Sequence, residues 1–181
     1  MAITKAQYEE AKAKALEMYE KAHIFLTEEE KANLEVSDFG LGRLDEFGVQ
    51  LVMYVNTERV SAKDVVIFPG QICPEHFHPV MGSDPGKEET FRCRYGEMYI
   101  HVPGEPTENP KGKMPAGKED TATVHHEVVL KQGDQILVTP GTKHWFQAGP
   151  EGAIFAEFST KNVDELDVFT DPEVERITKI I

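Results

Sequence analysis

The sequence predicts a mainly β protein, an antiparallel sandwich or barrel entered through a short helical segment. From Phe47 onward, GVQLVMYVN, DVVIFPG, ETFRCRYG, EMYIHVPG, TVHHEVVL, DQILVTPG, HWFQAGP and GAIFAEFS are short runs rich in β-branched and aromatic residues. Gly, Pro and Asn punctuate them at short intervals, which favours antiparallel strands over a parallel sheet with crossover helices. The texture before them is different. Tyr8, Ala11, Ala15, Met18, Tyr19 and Ala22 recur at helical spacing.

The elements follow in order. Thr4 and Gln7 form a capping box that opens the first helix, expected to run to about His23. Thr27 followed by three glutamates caps a second, short helix ending near Leu34. Residues 1–35 are therefore expected to pack as a helical segment on a barrel formed by 36–181, within one domain. Inside the β region, Pro103 to Asp120 is a Pro/Gly/Lys-rich loop with the character of a lid. DVFTDPEVERITKII suggests a final short helix after Pro172.

At 181 residues the chain can bury one core without staples. Its net charge of −13 repels phosphate backbones and anionic lipid, so neither nucleic acid nor a membrane surface is an expected partner. Two cysteines, Cys73 and Cys93, and a charged N-terminus without a secretory leader point to a reduced, cytoplasmic protein.

His76 and His78 alternate, so on a strand they share one face. Facing a barrel interior, two imidazoles need protons, partners or a metal. Glu89 follows after a spacer, PVMGSDPGKE, long enough for an extended hairpin that returns the next strand alongside. His144 comes after the Pro140-Gly141 turn.

Gly70, five residues, His76-Phe77-His78, a spacer, Glu89, six residues and Gly96 make one block. Gly133-Asp134 and Pro140-Gly141-Thr142-Lys143-His144 make another. Together they resemble the paired signatures of the cupin superfamily, single antiparallel jelly-roll β-barrels that hold a divalent metal. The resemblance assigns ligand roles to His76, His78, Glu89 and His144. The ten-residue spacer is longer than the usual three or four. The six-residue interval to Gly96 favours Glu89 over Glu88 as the ligand.

FPGQICPEHFHPVMGSDPGKEETFRCRYG, HHEVVLKQGDQILVTPGTKHWFQAGPEGAIFAEFST and DVFTDPEVERI go further and resemble the short bacterial D-lyxose isomerases. That resemblance runs from about Asp38 to the end. It implies a manganese-dependent aldose–ketose isomerase that converts D-lyxose to D-xylulose, and D-mannose to D-fructose as a second reaction.

Three imidazoles and a carboxylate suit manganese, iron, cobalt, nickel or zinc, and poorly suit calcium. An octahedral ion would keep two positions for the C1 and C2 oxygens of a sugar. Proton transfer between C2 and C1 then needs a base, and a hydride shift is the alternative route. Glu157, the one carboxylate of GAIFAEFST, is the first candidate for the base. Held among apolar neighbours, it would have a pKa raised toward working pH. Lys63, thirteen residues before His76, resembles a lysine of the larger D-lyxose isomerases and could donate a proton to O1 or O2. Glu97, Tyr99, His101, His126 and Glu127 are further positions that could reach the pocket. Trp145 and Phe146 are expected in the core, with sugar stacking as a second possibility, and Arg92 and Arg94 outside the barrel.

Three rival functions share the fold: an Fe(II) dioxygenase, a phosphosugar isomerase and a non-enzymatic sugar-binding cupin. No glycine-rich or basic phosphate cradle is visible in the sequence. A homodimer is the default expectation, because an exposed sheet edge must be covered.

Overall fold

The computed structural model describes residues Met1–Ile181. In chain order the elements are β1 (Ala2–Ile3), α1 (Lys5–Lys21), α2 (Glu28–Ala32), β2 (Glu35–Ser37), β3 (Val49–Asn56), β4 (Ser61–Ile67) and β5 (Ile72–Phe77). There follow β6 (Glu89–Val102), β7 (His126–Lys131), β8 (Gln135–Val138), β9 (His144–Ser159), β10 (Val168–Phe169) and β11 (Lys179–Ile180). No helix is long and apolar enough to cross a membrane.

Both helices begin where the capping boxes place them. Thr4 exchanges hydrogen bonds with Gln7, and Thr27 does the same with Glu30. Each box satisfies backbone N–H groups that a helix start leaves open. Ala11, Ala15, Met18 and Tyr19 make the buried face of α1. They pack on Val52, Val66, Phe68 and Ile154 to form a second apolar cluster outside the sheet.

Nine strands form one curled antiparallel sheet, and the sixteen-residue β9 runs through its middle. Along one edge β9 pairs with β6. Along the other edge it pairs with β5 in its first half and with β4 in its second. The main core lies inside the curl, where Phe91, Phe146 and Phe155 meet edge to face at 5.2–5.6 Å.

Two expectations for the β region change. ETFRCRYG and EMYIHVPG are one strand, β6, and HWFQAGP and GAIFAEFS are one strand, β9. The glycines expected as turns are bends inside continuous strands. Gly96 has φ +67°, and a Cβ there would stand 2.0 Å from the Gly152 carbonyl oxygen, so only glycine fits where the strands cross. The bend also switches the inward-facing parity. His144 and Phe146 face in before it, and Phe155 and Glu157 face in after it. An unbroken strand would turn His144 and Glu157, thirteen residues apart, to opposite faces.

The second change concerns PVMGSDPGKE. It does not close a hairpin, because β5 and β6 are not paired with each other. Both pair with β9, on opposite edges. The segment crosses over the sheet mouth, with its own small bridge between Met81 and Asp84.

The C-terminus is also not a helix after Pro172. Residues 160–181 form a strap with a short 3₁₀ turn at Asp164–Leu166. Within it β10 pairs with β5, and β11 pairs in parallel with β1. Thr178 donates to Asp38, and Arg176 pairs with Glu35. Tertiary partners on the barrel outweigh the weak helical signal of this tail. The Pro103–Asp120 loop does not cover the cavity lined by His76, His78 and Glu89, since none of its residues lines it. The loop lies on the outer face, where Glu127 accepts from the Lys111 and Gly112 N–H groups.

Candidate metal centre

His76 is the penultimate residue of β5, which ends at Phe77, and His78 follows directly beyond the strand. His144 opens β9 and sits opposite His76 in the β5–β9 register. Glu89 opens β6. One potential ligand atom from each lies within 4.8 Å of the others, and all four residues are buried. Glu89 Oε1 is 3.0 Å from His78 Nε2 and 3.0 Å from His144 Nε2. Glu88 is exposed and points elsewhere.

The imidazoles are oriented from behind. His76 Nδ1 bonds the Pro74 carbonyl at 2.9 Å, and His144 Nδ1 bonds the Thr142 carbonyl at 3.0 Å. His78 Nδ1 bonds the Asp167 carboxylate at 2.6 Å. Each acceptor holds the proton on Nδ1 and leaves the Nε2 lone pair for the interior, the arrangement that metal-binding histidines use. His144 Nε2 is fully buried without a hydrogen-bond partner, because its approach to Glu89 lacks hydrogen-bonding geometry. A buried donor or acceptor left so is costly unless something else fills the gap. A divalent ion fits that gap in charge, donor type and number of ligands.

The charge states of His76 and Glu89 agree with the arrangement, whereas an ion bound at His78 would displace a proton from its Nε2. Burial and the neighbouring imidazoles push His76 well below the usual histidine pKa and keep it neutral. Burial also disfavours charge on His78, but hydrogen bonds to Asp167 and Glu89 outweigh it and raise its pKa to about 9. Glu89 loses hydration by burial. Lys87, with His144 and His78 beside the carboxylate, more than offsets this and holds it well below the ordinary carboxylate range.

Beside the four residues lies a narrow void of about 40 Å³. Its apolar wall includes Phe91, Phe146 and Phe169, and its polar wall is a group of ion pairs. Glu157 and Lys63 face each other in the β4–β9 register, 3.2 Å apart. Lys87 bridges two carboxylates, 2.7 Å from Glu89 and 2.5 Å from Glu157. Glu157 is therefore not held among apolar neighbours, as its strand context suggests, but between two ammonium groups. Lys87 resists deprotonation. Burial favours its neutral form, but Glu157 and Glu89 overcome that and raise its pKa.

Asp164 bonds Lys63 at 3.4 Å and Arg176 at 2.8 Å. Burial works against its charge, and the cations Lys63, Arg176 and Lys87 overcome this and lower its pKa.

The other candidates lie elsewhere. Glu97, Tyr99 and His101 face outward, because the β6 bend switches parity. Glu97 accepts from the Tyr99 hydroxyl and pairs with Lys111. His101 stacks on Trp145 with ring centroids 3.8 Å apart, and the indole N–H donates to the Val124 carbonyl. Trp145 therefore offers no free face to a sugar, whereas Phe146 lines the void. His126 bonds the Glu105 carbonyl outside the sheet. Arg94 pairs with Asp64 on the outer face, and Arg92 is exposed.

Sequence reasoning missed Lys87, Asp164, Asp167 and Arg176. Lys87 had a signal, since it precedes Glu89 by two residues and extended chain puts both on one side. The other three had none, because they come from the strap.

Comparison with known proteins agrees with the site. The chain matches the family described as D-lyxose isomerase over residues 6–181. It is 55% identical to a D-lyxose ketol-isomerase of Thermofilum sp. (strain ex4484_79), with 99% of each chain covered. It is 53% identical to a D-lyxose/D-mannose isomerase of Thermosediminibacter oceani, with 98% of each covered. Among solved structures, the Cellulomonas parahominis L-ribose isomerase superposes with a TM-score of 0.80, covering 99% of each chain at 19% identity. That likeness carries the fold.

Proposed function

The chain belongs to the D-lyxose isomerase family, and from that premise we propose that it interconverts D-lyxose and D-xylulose in a metal-dependent reaction. Manganese is the proposed ion, with cobalt, iron, nickel or zinc as possible substitutes. D-mannose, which shares the configuration around C2, is the proposed second substrate, and a relative named D-lyxose/D-mannose isomerase supports it.

The observation that carries the reading is the convergence of His76, His78, Glu89 and His144, with all three Nδ1 atoms held from behind and one Nε2 unpartnered. A divalent ion held there would polarise the sugar carbonyl and stabilise negative charge developing on the neighbouring oxygens.

The remaining steps belong to side chains. Glu157 is the proposed base that moves the proton between C2 and C1. It lies in the cavity within 2.5 Å of Lys87 and 3.2 Å of Lys63, and neither ammonium can take a proton from carbon. Lys63 is the proposed donor to O1 or O2. Lys87 ties Glu157 to Glu89 and fixes the base beside the ligand group. The apolar wall of Phe91, Phe146 and Phe169 excludes water from the exchange.

The same charges argue against a phosphosugar. Lys63, Lys87 and Arg176 are the cations of the cavity, and each is already paired with carboxylates. None is left to meet a phosphate dianion. The test is a ketose assay with manganese-loaded protein on D-lyxose, D-mannose and their phosphates. D-lyxose should turn over well, D-mannose more slowly and the phosphates poorly. Preference for a sugar phosphate, or oxygen uptake with any of these substrates, would overturn the reading. With D-lyxose deuterated at C2, any loss of label to solvent would establish proton transfer, because a hydride shift retains the label in full.

A further inference from the structure

We infer that Glu75 is a positioning residue for the metal centre, fixing from behind β5 the segments on which the three imidazoles depend. The inference rests on the metal-dependent reading above. Glu75 precedes His76 on β5, so its side chain leaves on the opposite face. It is wholly buried. A carboxylate in that position is costly unless it is hydrogen-bonded.

Its bonds lead to every histidine of the site. Oε2 accepts from the Thr123 N–H at 2.6 Å and the Val124 N–H at 2.9 Å. Oε1 accepts from the Thr123 hydroxyl at 2.7 Å and the Thr170 hydroxyl at 2.5 Å. Lys143 Nζ stands 3.5 Å from Oε1. The Glu75 carbonyl also accepts from the Thr170 N–H at 2.9 Å.

Thr170 anchors the strap just after Asp167, the acceptor for His78, and Phe169, whose ring packs 5.3 Å from that of His76. Lys143 precedes His144. Trp145 follows it and donates to the carbonyl of Val124, a residue Glu75 holds by its N–H. One carboxylate thus joins the backbone beside His76, the residues on both sides of His144, and the strap that orients His78. A Gln could still accept both backbone N–H bonds and turn its NH₂ to the two hydroxyls, but it would lose the charge that strengthens all four bonds and faces Lys143.

The test compares full-length wild type, Glu75→Gln and Thr170→Val after chelator stripping. Each is titrated with Mn²⁺ by calorimetry and then assayed with D-lyxose at saturating Mn²⁺. Glu75→Gln should raise the Mn²⁺ Kd about ten- to a hundredfold, the cost typical of losing support behind metal ligands. Thr170→Val removes only the strap bond and should raise Kd by less, with unfolding temperature near wild type. At saturating metal, kcat should recover in both while KM stays close to wild type. A purely loop-anchoring Glu75 would change unfolding temperature and leave Kd alone, and that result overturns the inference. If Glu75→Gln does not fold, Thr170→Val decides, and a wild-type Kd in it overturns the inference. Wild type that takes up no Mn²⁺ would instead overturn the metal reading, and this inference with it.

Discussion

Two walls enclose the cavity, and they are built differently. The sheet wall carries His76, His144, Glu89, Lys63 and Glu157 on strands whose register is locked by β9 on both edges. The strap wall carries Asp164, Asp167, Phe169 and Arg176 on a segment with only two short strands, held by ion pairs and single hydrogen bonds. A slip on the sheet side would move every ligand at once, and burial of the core forbids it. A slip on the strap side costs a few hydrogen bonds. The strap is the more weakly secured wall, while the sheet holds His76, His144 and Glu89 in register.

The division leads to graded predictions. The largest effect belongs to the sheet wall. Glu89→Ala should abolish metal binding and reduce turnover to background, while Glu88→Ala should change neither by more than about twofold, as expected of a surface residue. Metal content and ketose formation measured together decide it, and the reverse pattern would place the ligand wrongly.

Next is Glu157→Gln, which keeps the shape and the contact with Lys87. Turnover should fall by about a hundred- to ten-thousandfold, the usual worth of general acid–base catalysis, with manganese content unchanged. Loss of metal would make Glu157 part of the ion's support instead.

The strap gives a smaller effect. Asp167→Asn replaces the acceptor for His78 Nδ1 and should weaken Mn²⁺ binding about ten- to a hundredfold in a titration, with the fold intact. An effect as large as that of Glu89→Ala would erase the distinction between the walls.

The smallest effect lies outside both. Burial, with help from the fields of His125 and His126, lowers the His101 pKa to about 4. Because the folded pKa is below the unfolded value of roughly 6.5, the fold favours the neutral ring. That stabilisation is complete above about pH 6.5 and disappears as pH falls toward 4. Allowing for partial solvent screening, it is worth about 1–2 kcal/mol. His101→Phe should flatten the pH dependence of urea unfolding in that window without changing metal content at pH 7.

The same two walls explain what was legible in the sequence. Alternation places His76 with His78 on one face, and the spacing to Gly96 selects Glu89, because both are local rules of extended chain. Glu157 was readable as a lone carboxylate in an apolar run, but its surroundings were not. Lys87 and Lys63 reach it from other strands, and no local pattern encodes that. The bends at Gly96 and Gly152 looked like turns because glycine marks both, and only the approach of the two backbones distinguishes them. Asp167 lies 89 residues from His78 in sequence, and the bond between them exists only once β10 has paired with β5.

His76, His78, Glu89 and His144 are proposed to hold one divalent ion on which turnover depends. Chelator-stripped protein titrated with Mn²⁺, with D-lyxose turnover followed on the same samples, tests it directly. The expected result is one tight site per chain, activity rising in proportion to its occupancy, and loss of both in His144→Ala. Full turnover in stripped protein, or an unaltered Mn²⁺ site in His144→Ala, would contradict it.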